Sequence, residues 1–128
     1  MVDRIREILS SLRPAAVYLF GSAASNRLRP SSDIDLAILP TQIIPATVMS
    51  QTALRLAETL RRDVDLIDMN RSNAVLRKEV LANGRLLYET DPGRRNEFEM
   101  YALSDYARLN EERAPVLAAL GQPLPRHA

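Results

Sequence analysis

Two aspartates one residue apart, Asp33 and Asp35, stand ten residues after a Gly-Ser pair, Gly21-Ser22. Apolar runs flank both motifs: AAVYLF at 15–20 leads into the Gly-Ser pair, and IDLAIL at 34–39 surrounds the second acid. Strand residues alternate faces. In an extended segment Asp33 and Asp35 therefore share one side, while Ile34, Leu36 and Ile38 turn into a core. Two carboxylates held that close repel each other, and they stay ionised together comfortably only with a divalent cation between them. A Gly-Ser turn that opens a helix offers free backbone N–H groups and a positive dipole end to a phosphate. A phosphate cradle beside cation-binding carboxylates is the equipment for nucleotidyl transfer. The plain alternative is a solvated turn whose aspartates cap a strand. That reading leaves unexplained why two acids interrupt an apolar strand on one face.

The segment resembles the nucleotidyltransferase superfamily related to polymerase beta, whose signature is Gly-Ser, ten residues, then Asp-x-Asp. The short chain is similar to the minimal nucleotidyltransferase branch in particular, over roughly residues 15–90. The resemblance implies an α/β (α+β) fold, a small mixed β-sheet with helices packed on it. It also implies a third carboxylate on a later strand, and Asp65 in the run VDLI at 64–67 lies where that carboxylate falls. Asp63 shares the strand face of Asp65 but adjoins Arg61 and Arg62, where an exposed ion pair is the simpler account. Asp68 points to the opposite face and begins the next turn. On this reading Asp33, Asp35 and Asp65 are the catalytic residues and hold two Mg²⁺ ions, while Gly21 and Ser22 steady the phosphates of ATP. Relatives commonly carry Arg-Gly where this chain has Ser25-Asn26. Asn tolerates left-handed backbone, so the turn survives. Arg27 or Arg29 on the same loop supplies the lost phosphate contact, or both are simply solvated.

Members of that branch are often the antitoxin half of a pair whose toxin is a HEPN-domain ribonuclease. The resemblance therefore implies a protein adenylyltransferase that modifies a tyrosine of a HEPN toxin and forms a hetero-oligomer with it. Two other readings remain open: an antitoxin that neutralises by docking alone, and a transferase acting on a small molecule such as an aminoglycoside. The latter usually needs a further helical domain over the acceptor.

Composition narrows the field. The 128 residues carry 17 basic and 16 acidic side chains, a net charge of +1, with Lys78 the single lysine. No basic run tracks a nucleic-acid backbone, so stable DNA or RNA binding is not expected. Cysteine is absent, which excludes disulfides, thiolate chemistry and a Cys-based zinc site. The lone histidine, His127, lies in a Pro-rich end. No signal peptide and no apolar run of membrane-spanning length occur, and a cytoplasmic protein is expected.

Hydrophobic spacing predicts a helix over 2–12, strands over 15–20 and 34–39, a helix over 45–62, a strand over 64–68, a helix over 72–82 and a short strand over 85–89. Residues 1–90 are read as the nucleotidyltransferase domain, with 91–128 as its C-terminal helix and frayed tail. The helix is placed at 94–113, with Phe98, Tyr101, Ala102, Tyr106 and Leu109 on one broad face, and the chain is expected to fray from Pro115. Four of the six aromatic residues fall between 88 and 106. That concentration suits a partner-binding surface.

Overall fold

The run from Ile34 to Pro40 is apolar on both sides, and a strand of that kind must be covered on both faces. Ile34, Leu36 and Ile38 are fully buried on one side, Ala37 and Leu39 on the other. A computed structural model describes residues 1–21 and 33–121. Its elements, in chain order, are α1 (Val2–Leu9), β1 (Pro14–Phe20), β2 (Ile34–Pro40), α2 (Ala46–Leu60), β3 (Val64–Asp68), α3 (Ala74–Asn83), β4 (Arg85–Glu89) and α4 (Pro92–Ala119). Single 3-10 turns follow α1 at Ser10–Leu12 and β3 at Met69–Arg71. The strands form one mixed sheet in the order β3-β2-β1-β4. β1 runs antiparallel to β2 and β4, and β2 runs parallel to β3.

Each face carries its own core. On one, Ile5, Ile8 and Leu9 of α1 and Met49 and Leu56 of α2 meet Val17, Leu19, Ile34, Leu36 and Ile38. On the other, Val80 of α3 and Met69 meet Ala16, Tyr18, Ala37 and Leu39, with Leu76 and Phe98 packed against them. This two-sided burial pins the register of β2. A slip of one residue would exchange the whole set of side chains between the two faces.

The helix ends follow local rules. Arg61 adopts left-handed backbone (φ 55) and stops α2 by donating its N–H to Ala57 O. Asn73 caps α3, its side chain accepting from Leu76 N, and Asp91 caps α4 by accepting from Arg94 N. Proline cannot continue the ladder of an α-helix behind it, yet α4 runs through Pro115 to Ala119. The expected fraying from Pro115 is thus corrected as far as residue 119. The loss of one backbone hydrogen bond is offset by good helix formers, Leu117, Ala118 and Ala119, and the Leu120 N–H closes on Val116 O and Leu117 O. Pro123 and Pro125 lie outside the described residues.

The expected aromatic face of α4 also needs correction. Phe98 packs into the second core with the Arg77 guanidinium 5.5 Å from its ring, Ala102 is buried, and Tyr106 is half-buried under Lys78, 5.5 Å away. Tyr101 instead points outward, 65% exposed, beside Met100 at 73%. Residues 98, 102 and 106 recur every four positions and form one stripe, from which Tyr101 is turned away by about one residue's rotation. A polar clamp then fastens α4 to the sheet. The Tyr18 hydroxyl donates to Glu99 at 2.7 Å, and Arg95 bridges Glu99 (3.0 Å) and Glu89 of β4. Burial, with Glu99 as hydrogen-bond partner, pushes the Tyr18 hydroxyl well above the ordinary range. Glu89, in turn, holds the Arg95 guanidinium in its charged form.

These two environments give different expectations for two neighbouring aromatic side chains. Phe98→Ala should lower the unfolding free energy by about 2–3 kcal/mol, toward the small end for aromatic truncation because the ring is partly exposed. Tyr101→Ala should stay within about 0.5 kcal/mol of the unmodified chain. Urea denaturation followed by circular dichroism measures both, and equal losses would contradict the assignment of inward and outward faces.

Candidate active site

The sheet brings the acids to one of its ends. β1 finishes there at Phe20, paired with Asp35 at the start of β2, and Asp35 is itself the register partner of Asp65 on the parallel β3. Ile34 N donates to Asp63 O at 2.9 Å and ties the first residues of β2 and β3 together. Alternation then puts the Asp35 and Asp65 side chains on one face, the face covered by α3 and α4. Asp33 precedes β2 and is exposed, as is Asp65, while Asp35 is partly buried between them.

The electrostatics follow from that placement. The Asp35 carboxyl is raised above its ordinary value, chiefly because burial penalises its charge, and further by the nearby Asp65 and Asp33 carboxylates. Gly21 closes the other side. Its backbone is left-handed (φ +69), and a Cβ there would lie 2.3 Å from Asp35 Oδ2. Only glycine leaves room for that carboxylate and for the turn that leads away from it.

Gly21, Asp33, Asp35 and Asp65 are thus drawn to one sheet end, and two alternative acids are set apart from them. Asp68 sits on the opposite parity of β3, 9% exposed. It caps the following 3-10 turn by accepting from Asn70 N at 2.9 Å, and it has Arg71 Nε 3.8 Å away. Asp63 lies just outside β3 and is exposed. The ion pair expected with Arg61 or Arg62 is not formed among the described residues. Ser22, Arg27 and Arg29 fall outside the described residues, as do Ser25 and Asn26. The Tyr18–Glu99–Arg95–Glu89 clamp escaped sequence reading altogether. Its partners are up to 81 positions apart, and no local pattern marks such a pair.

Among the described residues, no three Asp, Glu, His or Cys side chains close into a finished metal cage. The donor set nevertheless suits a hard cation. It consists of oxygen ligands only, and the like charges beside Asp35 are the unfavourable interaction that a bound cation would relieve. No helix among the described residues is long and apolar enough to cross a membrane.

Comparison with known proteins agrees with this geometry. The family model described as "Polymerase beta, Nucleotidyltransferase" matches residues 3–93. A protein adenylyltransferase, MntA of Shewanella oneidensis, is 32% identical over 104 residues, covering 79% of this chain and 72% of the relative. Among solved structures, a chain of a toxin–antitoxin complex with AMP-PNP superposes with a TM-score of 0.82 at 29% identity, covering 93% of this chain and 97% of that one. A chain from a complex of tri-AMPylated Shewanella oneidensis HEPN toxin with MNT antitoxin gives a TM-score of 0.76 at 28% identity, covering 93% and 94%.

The raised Asp35 carboxyl has a testable sign. The folded chain binds this proton more tightly than the unfolded chain does. In EDTA, stability should therefore fall as pH rises from the ordinary carboxylate range through the raised value, and level off above it. Asp35→Asn removes that contribution, so its advantage in melting temperature over the unmodified chain should grow across this window. Parallel melting curves at every pH would rule out a strained carboxyl at this position.

Proposed function

The chain belongs to the polymerase beta nucleotidyltransferase family, and on that premise we propose that it transfers AMP from ATP to a tyrosine of a HEPN-domain toxin and so acts as its antitoxin. The observation that carries this reading is the parallel register of Asp35 with Asp65 beside Gly21, where a glycine makes room for a carboxylate strained by its neighbours. The adenylyltransferase and the AMPylated toxin complex to which the chain is similar support the acceptor class. The structure with AMP-PNP supports an adenine nucleoside triphosphate as donor.

Asp33, Asp35 and Asp65 are the residues that would hold Mg²⁺, which supplies charge neutralisation at the triphosphate and at the attacking oxygen. The chain's own contributions are positional. Gly21 lets the backbone come close to Asp35 and carries the turn toward the phosphates, with Ser22 and either Arg27 or Arg29 as the further phosphate contacts. Asp65, the most exposed of the strand-borne acids, takes the proton of the tyrosine hydroxyl or passes it to water. The tyrosine oxygen then bonds to the α-phosphorus, the bond from that phosphorus to the bridging oxygen breaks, and pyrophosphate leaves. Residues 1–90 would form the transferase domain, with the following helix as its C-terminal part, and a cytoplasmic setting suits a chain without cysteine.

Co-expression with the cognate HEPN toxin, followed by intact-mass measurement of the toxin, tests the reading. Whole AMP increments are expected, lost with Asp33→Ala or Asp35→Ala. Asp65→Asn should slow transfer at least roughly a hundredfold while ATP binding persists. Chelation by EDTA should abolish labelling in vitro. A toxin that is neutralised but unchanged in mass would overturn transfer and leave an antitoxin that works by docking.

A further inference from the structure

We propose that a second ligand site lies at the opposite end of the sheet from the aspartates, and that it takes a small organic phosphate carrying free hydroxyls. A cavity of about 470 Å³ opens there between α1 and the strand ends. Its polar lining comes from Arg6, Ser10, Arg13, Thr41, Thr90 and Asp91, with the Tyr88 ring beside them. Pro14 starts β1, Thr41 follows β2 and Thr90 follows β4, so the cavity is set at the far end from Gly21 and Asp35. Its volume is within the range of small-molecule sites.

The polar groups in its wall are sorted by what they still have to offer. Three hydroxyls have already committed their protons to backbone carbonyls: Ser10 to Glu7 O (2.7 Å), Thr41 to Arg13 O (2.7 Å) and Thr90 to Pro14 O (2.8 Å). Toward a ligand they are therefore acceptors only. The donors that remain are the Arg6 and Arg13 guanidiniums. Neither arginine has an acidic partner within salt-bridge distance among the described residues. The Tyr88 hydroxyl is buried with no hydrogen-bond partner among the described residues, and burial raises it above its ordinary value.

These donors are held in place rather than free to wander. Arg6 stacks over the Tyr88 ring with its guanidinium carbon 4.8 Å from the centroid. Arg13 has a left-handed backbone (φ 49), with its N–H fixed on Ser10 O and its carbonyl held by Thr41. Arg13 is the C-cap of the 3-10 turn after α1, as Arg61 is of α2, and this fixes where its side chain starts. Two guanidiniums match a phosphate, and the ligand's own hydroxyls would donate to the three acceptor oxygens. Asp91 lines the same cavity, and its Oδ1 already accepts from Arg94 N. Two arginines against one aspartate favour a phosphate monoester over a triphosphate.

The test is calorimetric titration of the full chain carrying Asp33→Asn and Asp35→Asn, in EDTA, with AMP, ribose 5-phosphate and inorganic phosphate. These conditions disable the carboxylate site, so the result is independent of the transferase reading. AMP and ribose 5-phosphate should each bind with one ligand per chain, at least about tenfold tighter than inorganic phosphate. Adding Arg13→Gly, which suits the left-handed backbone, should weaken both at least about tenfold, and Arg6→Gln should do the same from the other wall. No binding, binding unchanged in both arginine variants, or inorganic phosphate binding as tightly as the esters would each overturn the proposal.

Discussion

The pairing of β2 with β3 sets Asp35 directly against Asp65, and most of what is distinctive in this molecule accommodates that repulsive contact. Like charges opposed on neighbouring strands are destabilising by themselves. They persist here because the rest of β2 has no other register to adopt. Ile34, Leu36 and Ile38 fill one core, Ala37 and Leu39 the other, and all five are fully buried. Sliding β2 by one residue would drive Asp35 into the apolar layer built with α1 and α2 and push Ile34 and Leu36 out of it. Burial on the two faces of one strand thus holds the acids in opposition. The strain is confined to the strand's first residues, where solvent still reaches.

How much of this could be read in the sequence depended on how local the information was. The strand and helix positions came from hydrophobic spacing, and they match the observed elements to within a few residues except at the C-terminal end of α4, placed at 113 and found at 119. The grouping of Asp65 with Asp35 came from family resemblance, because nothing in VDLI itself marks which of Asp63 and Asp65 will face the motif. Strand alternation already set Asp68 on the other face; the structure adds the parallel register, which puts Asp65 rather than Asp63 opposite Asp35. Tertiary context decided what the sequence left ambiguous in α4. Phe98, Tyr101 and Tyr106 look alike as a cluster of aromatics, and only the packing of α4 on α3 and the sheet separates the inward stripe from the exposed Tyr101.

The clamp from Tyr18 through Glu99 and Arg95 to Glu89 fastens α4 to the sheet face that also carries Asp35 and Asp65. Tyr18 lies on β1 three residues before Gly21, and Glu99 and Arg95 lie one turn apart on α4. The clamp is buried only in part, so its worth is the net value of charge-assisted hydrogen bonds rather than of a fully desolvated ion network. Its consequence is geometric. α4 is fixed against β1 and β4, and the orientation of its outward residues, Met100 and Tyr101, is fixed with it.

Charge is also sorted along the sheet. β1 ends beside the three carboxylates and begins beside Arg6 and Arg13, a partial division, since Arg85 pairs with Leu19 at the first end and Asp91 lines the cavity at the second. With 17 basic and 16 acidic residues the chain is nearly neutral overall, and neither end reflects a general excess of one sign. Elsewhere the opposite charges find each other, as Arg95 does with Glu89 and Glu99, Arg108 with Asp105, and Arg71 with Asp68. An acid or base placed for stability alone gains by pairing with a neighbour of opposite sign. Asp33, Asp35 and Asp65 form no ion pair among the described residues, and they stand about the length of β1, seven residues, from Arg6 and Arg13. At an ordinary strand rise this is roughly 20 Å, well beyond the screening length at physiological salt. The two clusters therefore neither neutralise nor sense each other strongly.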